Sequence, residues 1–272
     1  MTGSDSGLDF SVNRVAAMVR RYWYLLRSSW PRVLDLIYWP TVQMLMWGFL
    51  QLYVTQNGGP FVRTAGVFIG AVLLWDILFR GQLGFSISFL EEMWSHNLGN
   101  LMMSPLRPVE FIAALMIMSI VRLLIGMIPV TLLAVLFFGF NLWSLGFALA
   151  AFFGNLILTS WAIGIFVAGL LLRNGMGAES MAWTIMFLFL PLTCVYYPVT
   201  VLPWYLQYVA WALPPTYVFE GMRALLIDHV FRADLMLEAL AFNAVLFAAA
   251  SFAFLKLLRS ARVQGSLLQG GE

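Results

Sequence analysis

The sequence predicts an all-α integral membrane protein with six transmembrane helices, and its composition is the first observation behind that prediction. Of the 272 residues, 62% are hydrophobic and only 10% are charged, whereas a soluble domain carries about 25% charged residues. So few charges cannot cover a soluble surface. The other two observations are a set of long apolar stretches and the distribution of basic residues between them. The net charge of +2 gives no indication of nucleic-acid binding.

Six apolar stretches are long enough to cross a membrane, because a helix needs about 20 residues to cross roughly 30 Å of hydrocarbon. They are residues 34–54, 66–89, 111–138, 145–172, 181–197 and 237–258. Residues 198–217 are apolar but interrupted by prolines, which favours an extracytoplasmic re-entrant hairpin before the last helix. No internal repeat is visible, so residues 1–272 are predicted to form a single transmembrane domain.

The basic residues predict the orientation of these helices. Five arginines precede the first stretch and Lys256 and Arg259 lie near the C-terminus, whereas the first loop carries only Arg63. Basic residues are enriched on the cytoplasmic side of membranes. We therefore expect a multi-pass protein of the cell's inner (plasma) membrane with both termini cytoplasmic, and with residues 56–63 and 228–234 facing outward.

Residues 10–31 are predicted to form an amphipathic helix in the cytoplasmic interface of the lipid bilayer. Its apolar residues recur at 3-4-3-4 spacing and therefore share one helical face, while the arginines lie elsewhere. Trp23 and Trp30 suit the depth of the lipid headgroups. The alternative is a disordered basic tail, but the regular spacing of the apolar residues disfavours it. The stripe consists of Val12, Val15, Val19, Tyr22 and Leu26.

A polar segment follows the second apolar stretch. Residues 90–105 are predicted to form a short cytoplasmic amphipathic helix, which Pro105 and Pro108 terminate. Periodicity leaves two interpretations equally open: a helix that only closes the turn, or a docking surface for a cytoplasmic partner. The apolar stripe consists of Leu90, Trp94, Leu98 and Leu101, and the polar face of Glu91, Glu92, Ser95, His96 and Asn100.

Two motifs resemble those of type-2 ABC transporter permeases. The first, E-E-x(12)-P-x-x-P-x-E, is formed by Glu91, Glu92, Pro105, Pro108 and Glu110. The second is the sequence YYPVTVLPWYLQYVAWALPPTYVFEGMR at residues 196–223. The six-helix layout and the interfacial N-terminal helix are similar as well, so the resemblance extends over nearly the whole chain.

The resemblance implies that residues 90–105 are a coupling helix seated in a cleft of a separate ATPase subunit. It also implies a dimer with a second permease copy or a homologous permease, and export of a lipid, lipid-linked glycan, polysaccharide or hydrophobic drug. Its coupling residues would be Leu90, Glu91, Glu92, Trp94, Leu98, Leu101 and Pro105. The hairpin would be braced by Pro198, Pro203, Pro214, Pro215, Glu220 and Arg223.

The chain has no phosphate-binding loop of its own. Such a loop ends in Gly-Lys-Ser/Thr, but the single lysine, Lys256, lies between two leucines in the last apolar stretch. We therefore expect the partner ATPase to bind ATP and Mg²⁺, and this chain to have no cofactor, catalytic residue or metal ligand. His96 is expected to be simply solvated.

Three charged residues lie within predicted transmembrane helices: Asp76, Arg80 and Arg122. Counted from the cytoplasmic ends, Asp76 and Arg122 reach similar depth, and buried charges cost several kcal/mol unless paired or hydrated. We therefore predict an Asp76–Arg122 pair, with a direct role in substrate contact or gating as the alternative. The same three residues favour a second hypothesis, an ion-coupled secondary transporter, although no inverted repeat is visible. An intramembrane transferase or a scaffold is a third, without any motif to support it.

Overall fold

A computed structural model describes residues 10–56 and 66–264 of the chain. Within these ranges the chain is helical and contains no strand. The predicted outward loop at residues 56–63, including Arg63, lies outside the described residues except for Gln56. The α-helices of the described ranges are α1 (Val12–Arg27), α2 (Trp30–Gln56), α3 (Val67–Trp94), α4 (Leu98–Met103), α5 (Pro108–Phe138), α6 (Phe147–Asn174), α7 (Met181–Leu192), α8 (Trp204–Trp211), α9 (Pro214–Asp228) and α10 (Ala233–Gln264).

Five of the described helices, α2, α3, α5, α6 and α10, are long and apolar enough to cross a membrane. The predicted count of six is not confirmed, because the stretch at residues 181–197 contains only the 12-residue helix α7. A helix of that length rises about 18 Å, short of the roughly 30 Å of hydrocarbon. The chain turns at Cys194, which has a left-handed φ of 54°. Hydropathy predicts the apolar stretch correctly but does not reveal this break.

Helices α3 and α6 form the centre of the bundle, whereas α2 and α10 expose most of their residues. Small residues bring α3 and α6 together: a Cβ atom added at Gly81 would lie 2.8 Å from the Ser160 hydroxyl. That hydroxyl is also within hydrogen-bond distance of the Leu78 carbonyl, at 2.9 Å. Close backbone approach and interhelical hydrogen bonds are the usual means of helix association inside a membrane.

Buried amides join α6 to α10. The Thr159 hydroxyl and the Asn243 side-chain oxygen are 2.6 Å apart, and Asn243 Nδ2 donates to the carbonyl of Asn155 at 3.0 Å. Satisfied polar contacts of this kind fix the register of two apolar helices, which hydrophobic packing alone would leave free to slide. The last long helix is thereby anchored to the centre of the bundle.

Helix α1 packs against the protein along its apolar face. Val15, Met18, Tyr22 and Leu26 are buried, and α1 contacts α5 and α2. Val12, which the periodicity placed in the same stripe, is exposed. A helix is thus present at Val12–Arg27, but its place in the lipid interface is not confirmed, and most of the predicted apolar stripe is covered by protein.

The predicted helix at residues 90–105 is not one continuous helix. Residues 90–94 form the last turn of α3, and His96 then takes a left-handed φ of 51° that ends it. Helix α4 begins only at Leu98. We call residues 95–107, which include α4, the α3–α5 connection.

The segment predicted as a hairpin at residues 198–217 contains a short 3-10 helix (Val199–Val201) and α8, followed by α9. Helix α9 begins at Pro214 and continues to Asp228, beyond the end of the predicted segment, so the hairpin is not confirmed. Pro214 and Pro215 occupy the first turn of α9, where proline is tolerated. Helix α9 is largely buried against α3, α6 and α10. In α8, Trp204, Tyr205 and Tyr208 are exposed, whereas Trp211 is half buried.

Candidate functional site

Three glutamates lie close to the α3–α5 connection, and each binds an arginine from another helix. We call Glu91, Glu92 and Glu110 the glutamate cluster. Glu92 and Glu110 are fully buried, and the side chain of Glu91 exposes only 8% of its surface. The sequence analysis placed Glu91 and Glu92 on the polar face of a helix, and the structure shows that their side chains are covered by protein.

Glu91 connects three helices. Its Oε2 atom accepts a hydrogen bond from Arg122 of α5 at 2.8 Å, and its Oε1 atom accepts one from Arg32 of α2 at 3.2 Å. Arg122 is almost fully buried while Arg32 is half exposed. The contact with Arg122 is therefore the stronger of the two, because water screens the exposed pair.

Glu92 connects α3 to α1 and to the turn that follows α3. It accepts hydrogen bonds from Arg21 of α1 and from Asn97 Nδ2, the latter at 2.8 Å. Tyr22 of α1 is buried beside it, and burial raises the pKa of the Tyr22 hydroxyl far above its usual range. That hydroxyl therefore stays neutral, and Arg21 supplies the charge that balances Glu92.

Glu110 connects α5 to α1 and caps the beginning of α5. It accepts hydrogen bonds from Arg14 at 2.6 and 2.8 Å, from the Ser11 amide at 2.8 Å and from the Arg107 amide at 3.0 Å. The hydrogen bond with Glu110 raises the pKa of Arg14. The two-pronged contact fixes orientation as well as distance. Helix α1 is thus attached at two points, through Arg14 and Arg21.

The outer surface of the α3–α5 connection is less apolar than the periodicity suggested. Leu90 and Leu98 are buried in the bundle and Leu101 is half buried, so only Trp94 of the predicted stripe is exposed, at 44%. The Trp94 indole N–H donates to Glu179, between α6 and α7, at 3.3 Å. Trp94 therefore lies where the two connections meet. Other exposed residues of this surface are Ser95, His96, Asn100, Met103 and Pro105.

The predicted Asp76–Arg122 pair is wrong. Arg122 binds Glu91, and Asp76 lies 3.6 Å from Arg80 on its own helix. Side chains on a helix tilt toward its N-terminus. Since α3 and α5 are antiparallel, Asp76 and Arg122 point away from each other, which a count of depth along the helices cannot reveal.

Asp76 and Arg80, near the middle of α3, have buried polar atoms without hydrogen-bond partners among the described residues. Asp76 is completely buried, and neither of its carboxylate oxygens has a hydrogen-bond partner among the described residues. Gly126 of α5 packs so closely on α2 that an added Cβ would lie 2.6 Å from the Leu36 carbonyl oxygen and 3.8 Å from Arg80. Pro40 has no N–H to donate to that carbonyl. Arg80 of α3 therefore lies close to the contact between α2 and α5, and its Nε atom has no hydrogen-bond partner among the described residues.

The residues singled out in the hairpin contact one another and the backbone beside them. Glu220 accepts from the Val199 amide at 2.8 Å and from Arg223 at 2.9 Å. Arg223 also donates to the carbonyls of Cys194 and Val195 at 2.9 and 3.3 Å. These contacts join α9 to the segment where the chain turns after α7. Pro198 and Pro203 flank the 3-10 helix, and Pro214 and Pro215 begin α9.

Residues 14–227 match the family model of ABC-2 type transporters. The chain belongs to this family. It is a multi-pass membrane permease, and the matched region includes the glutamate cluster, the α3–α5 connection and α9. None of the curated proteins matches the chain significantly.

Sequence reasoning missed the arginine partners of the glutamate cluster in this ABC-2 permease. The periodicity placed Arg14 and Arg21 away from the apolar stripe and gave no partner for them, yet each binds a buried carboxylate. Glu110 was detectable, since a glutamate two residues after Pro108 is typical of the first turn of a helix. No motif or periodicity near Glu179 indicated its contact with Trp94. In the part of the permease that the structure describes, no group of three or more potential metal ligands occurs.

Proposed function

We propose that this permease is the membrane-spanning subunit of an ATP-driven exporter, coupled through the α3–α5 connection to a separate ATPase. The observation that carries the proposal is the glutamate cluster. Its buried carboxylates lie on the ends of α3 and α5 that flank the connection, and their ion pairs join these ends to α1, to α2 and to each other. A displacement imposed on the connection by a partner would therefore move several helices together.

We infer that the source of energy lies in another chain. The sequence contains no phosphate-binding loop, and its single lysine lies among leucines. We infer that the partner binds ATP and Mg²⁺, and that two permease copies, or this permease and a homologue, frame the pathway. With this arrangement the α3–α5 connection and both termini are cytoplasmic. The substrate class remains a lipid, lipid-linked glycan, polysaccharide or hydrophobic drug.

An ion-coupled mechanism that uses Asp76, Arg80 and Arg122 together has less support. The guanidinium of Arg122 binds Glu91, and Glu91 lies about 22 Å along α3 from Asp76 at 1.5 Å per residue. Asp76 and Arg80 remain close to each other. The three residues thus belong to two separate pairs, Asp76–Arg80 and Glu91–Arg122.

The coupling proposal is tested by changing Trp94, the exposed member of the predicted stripe. We expect Trp94→Ala to lose about 2 kcal/mol of binding, typical of a buried aromatic anchor at an interface, and to weaken association with the ATPase roughly thirtyfold. Trp204→Ala is the matched control, because Trp204 is an exposed tryptophan of α8 in the hairpin region, away from the connection. The measurement is co-purification with a candidate ATPase, such as one encoded by an adjacent gene, followed by ATP turnover in nanodiscs.

Leu98→Ala separates coupling from folding. Leu98 is buried, so this change should lower the stability of the permease instead of acting at a partner surface. Equal association of wild type and Trp94→Ala with an ATPase that the wild type stimulates would contradict the proposed coupling surface.

A further inference from the structure

The arginines of α1 fall into two groups. Arg14 and Arg21 bind the glutamate cluster. Arg20 and Arg27 are exposed, and the structure gives neither of them an ion pair within the described ranges. They are seven residues apart and therefore lie on the same side of the helix. Tyr24, which lies between them in sequence, is 65% exposed.

A groove begins beside Arg27 and extends along α2. Its volume is about 670 Å³, and Leu133 of α5 contributes to its wall. The α2 residues of the groove recur every three to four positions and so form one continuous helical face. They are Trp30, Val33, Leu34, Ile37, Tyr38 and Thr41.

The groove has the length and polarity of a site for a hydrocarbon chain. From Trp30 to Thr41 it extends about 16 Å at 1.5 Å per residue, roughly half of the 30 Å hydrocarbon thickness of a bilayer. The Thr41 hydroxyl already donates to the Ile37 carbonyl at 2.7 Å. The walls are therefore mainly apolar, while the end near Arg27 is cationic.

We propose that this groove binds an anionic phospholipid. One acyl chain lies against α2 and Leu133, and the phosphate interacts with Arg27, with Arg20 contributing to the positive potential. Trp30 lies between the apolar groove and the cationic end at Arg27. Tryptophan is enriched in membrane proteins at the corresponding boundary between hydrocarbon and water. Arginine is well suited to phosphate, since its planar guanidinium forms paired hydrogen bonds. The site requires only that the chain is a membrane protein, and it is independent of the proposed coupling to an ATPase.

Lipid binding at this site should stabilise the attachment of α1. The same helix is held by Arg14 and Arg21 on its protein-facing side, so a lipid on Arg20 and Arg27 adds contacts on its opposite side. A ligand that binds only the folded arrangement raises its stability. An anionic lipid is therefore expected to increase the thermal stability of the purified permease more than a zwitterionic lipid does.

The experiment uses the full chain in detergent with equal amounts of phosphatidylglycerol and phosphatidylcholine, and bound lipid is quantified by native mass spectrometry. Wild type should retain phosphatidylglycerol preferentially. Each arginine near a membrane surface contributes about 1 kcal/mol to binding an anionic lipid, so Arg20→Gln and Arg27→Gln should each reduce that preference about fivefold. Arg173→Gln is the matched control, because Arg173 is an exposed arginine outside the groove. Leu34→Trp should fill the groove and reduce lipid retention without changing the charge.

Four results would overturn the proposal. The first is an unchanged lipid preference in an Arg20→Gln/Arg27→Gln variant, and the second is an equal loss in Arg173→Gln, which would indicate non-specific charge attraction. The third is efficient disulfide formation between two copies carrying Leu34→Cys in a Cys194→Ser background, which would place a second permease in the groove. Retention of phosphatidylglycerol by Leu34→Trp at the wild-type level would contradict the placement of the acyl chain.

Discussion

Replacing Arg122 with leucine should strongly destabilise the permease, and replacing Glu91 as well should restore much of the loss. The guanidinium of Arg122 exposes 4% of its surface and binds Glu91 at 2.8 Å. Removing one member of a buried ion pair leaves the other charge buried without compensation, which costs about 3–5 kcal/mol. We expect a loss in that range for Arg122→Leu.

Glu91→Leu should cost slightly more than Arg122→Leu. It leaves Arg122 buried without a partner and also releases Arg32, whose half-exposed contact contributes about 1 kcal/mol or less. The Glu91→Leu/Arg122→Leu double variant removes both buried charges and fills the space with apolar side chains. Such replacements are often nearly neutral, so the double variant should be at least about 2 kcal/mol more stable than the sum of the single losses indicates.

The measurement is the free energy of unfolding of the detergent-solubilised permease, followed by tryptophan fluorescence during titration with a denaturing detergent. Arg173→Leu serves as the control, because it removes an exposed arginine and should change stability by less than about 0.5 kcal/mol. Additive losses in the double variant would refute the reasoning, since they would mean that Glu91 and Arg122 contribute independently.

Two further predictions concern packing and topology. Gly126→Leu should lose about 1–3 kcal/mol of stability by overpacking, because the new Cβ would lie 2.6 Å from the Leu36 carbonyl oxygen. Gly154→Leu in α6 is the control: no atom lies within 4 Å of its new Cβ, so its free energy of unfolding should equal that of the wild type. In a cysteine-free background, an impermeant maleimide applied to intact cells should label Asp228→Cys but not Ser95→Cys; labelling of Ser95→Cys would reverse the proposed orientation.

The long helices were readable from the sequence because their lengths and apolar composition are local properties. Hydropathy did not reveal the end of α7, since the sequence stays largely apolar past Leu192, where the helix ends, and past Cys194, where the backbone is left-handed. The same limit applies to the helix predicted at residues 90–105. There the apolar periodicity is continuous, but the chain turns at His96.

The sequence could indicate a candidate site but not its contacts. The motif around Glu91 and Glu92 drew attention to the α3–α5 connection, and its role in coupling stays a prediction. Whether these carboxylates face water depends on Arg21 and Arg32, which lie 71 and 59 residues away in sequence from Glu92 and Glu91, respectively. A helical periodicity cannot report such partners, because they come from elements that are adjacent only after folding.

The attachment of α1 by the glutamate cluster also determines when that helix can take its final place during biosynthesis. Arg21 precedes Glu92 by 71 residues, and Arg14 precedes Glu110 by 96. At about 5–20 residues per second, Glu110 is synthesised roughly 5–20 s after Arg14. During that interval α5 is not yet available to cover the apolar side of α1, which includes Tyr22 and Leu26. We expect this side of α1 to bind the membrane surface until α5 is synthesised. A nascent chain arrested before Glu92 would have α1 undocked, however well its first helices were inserted.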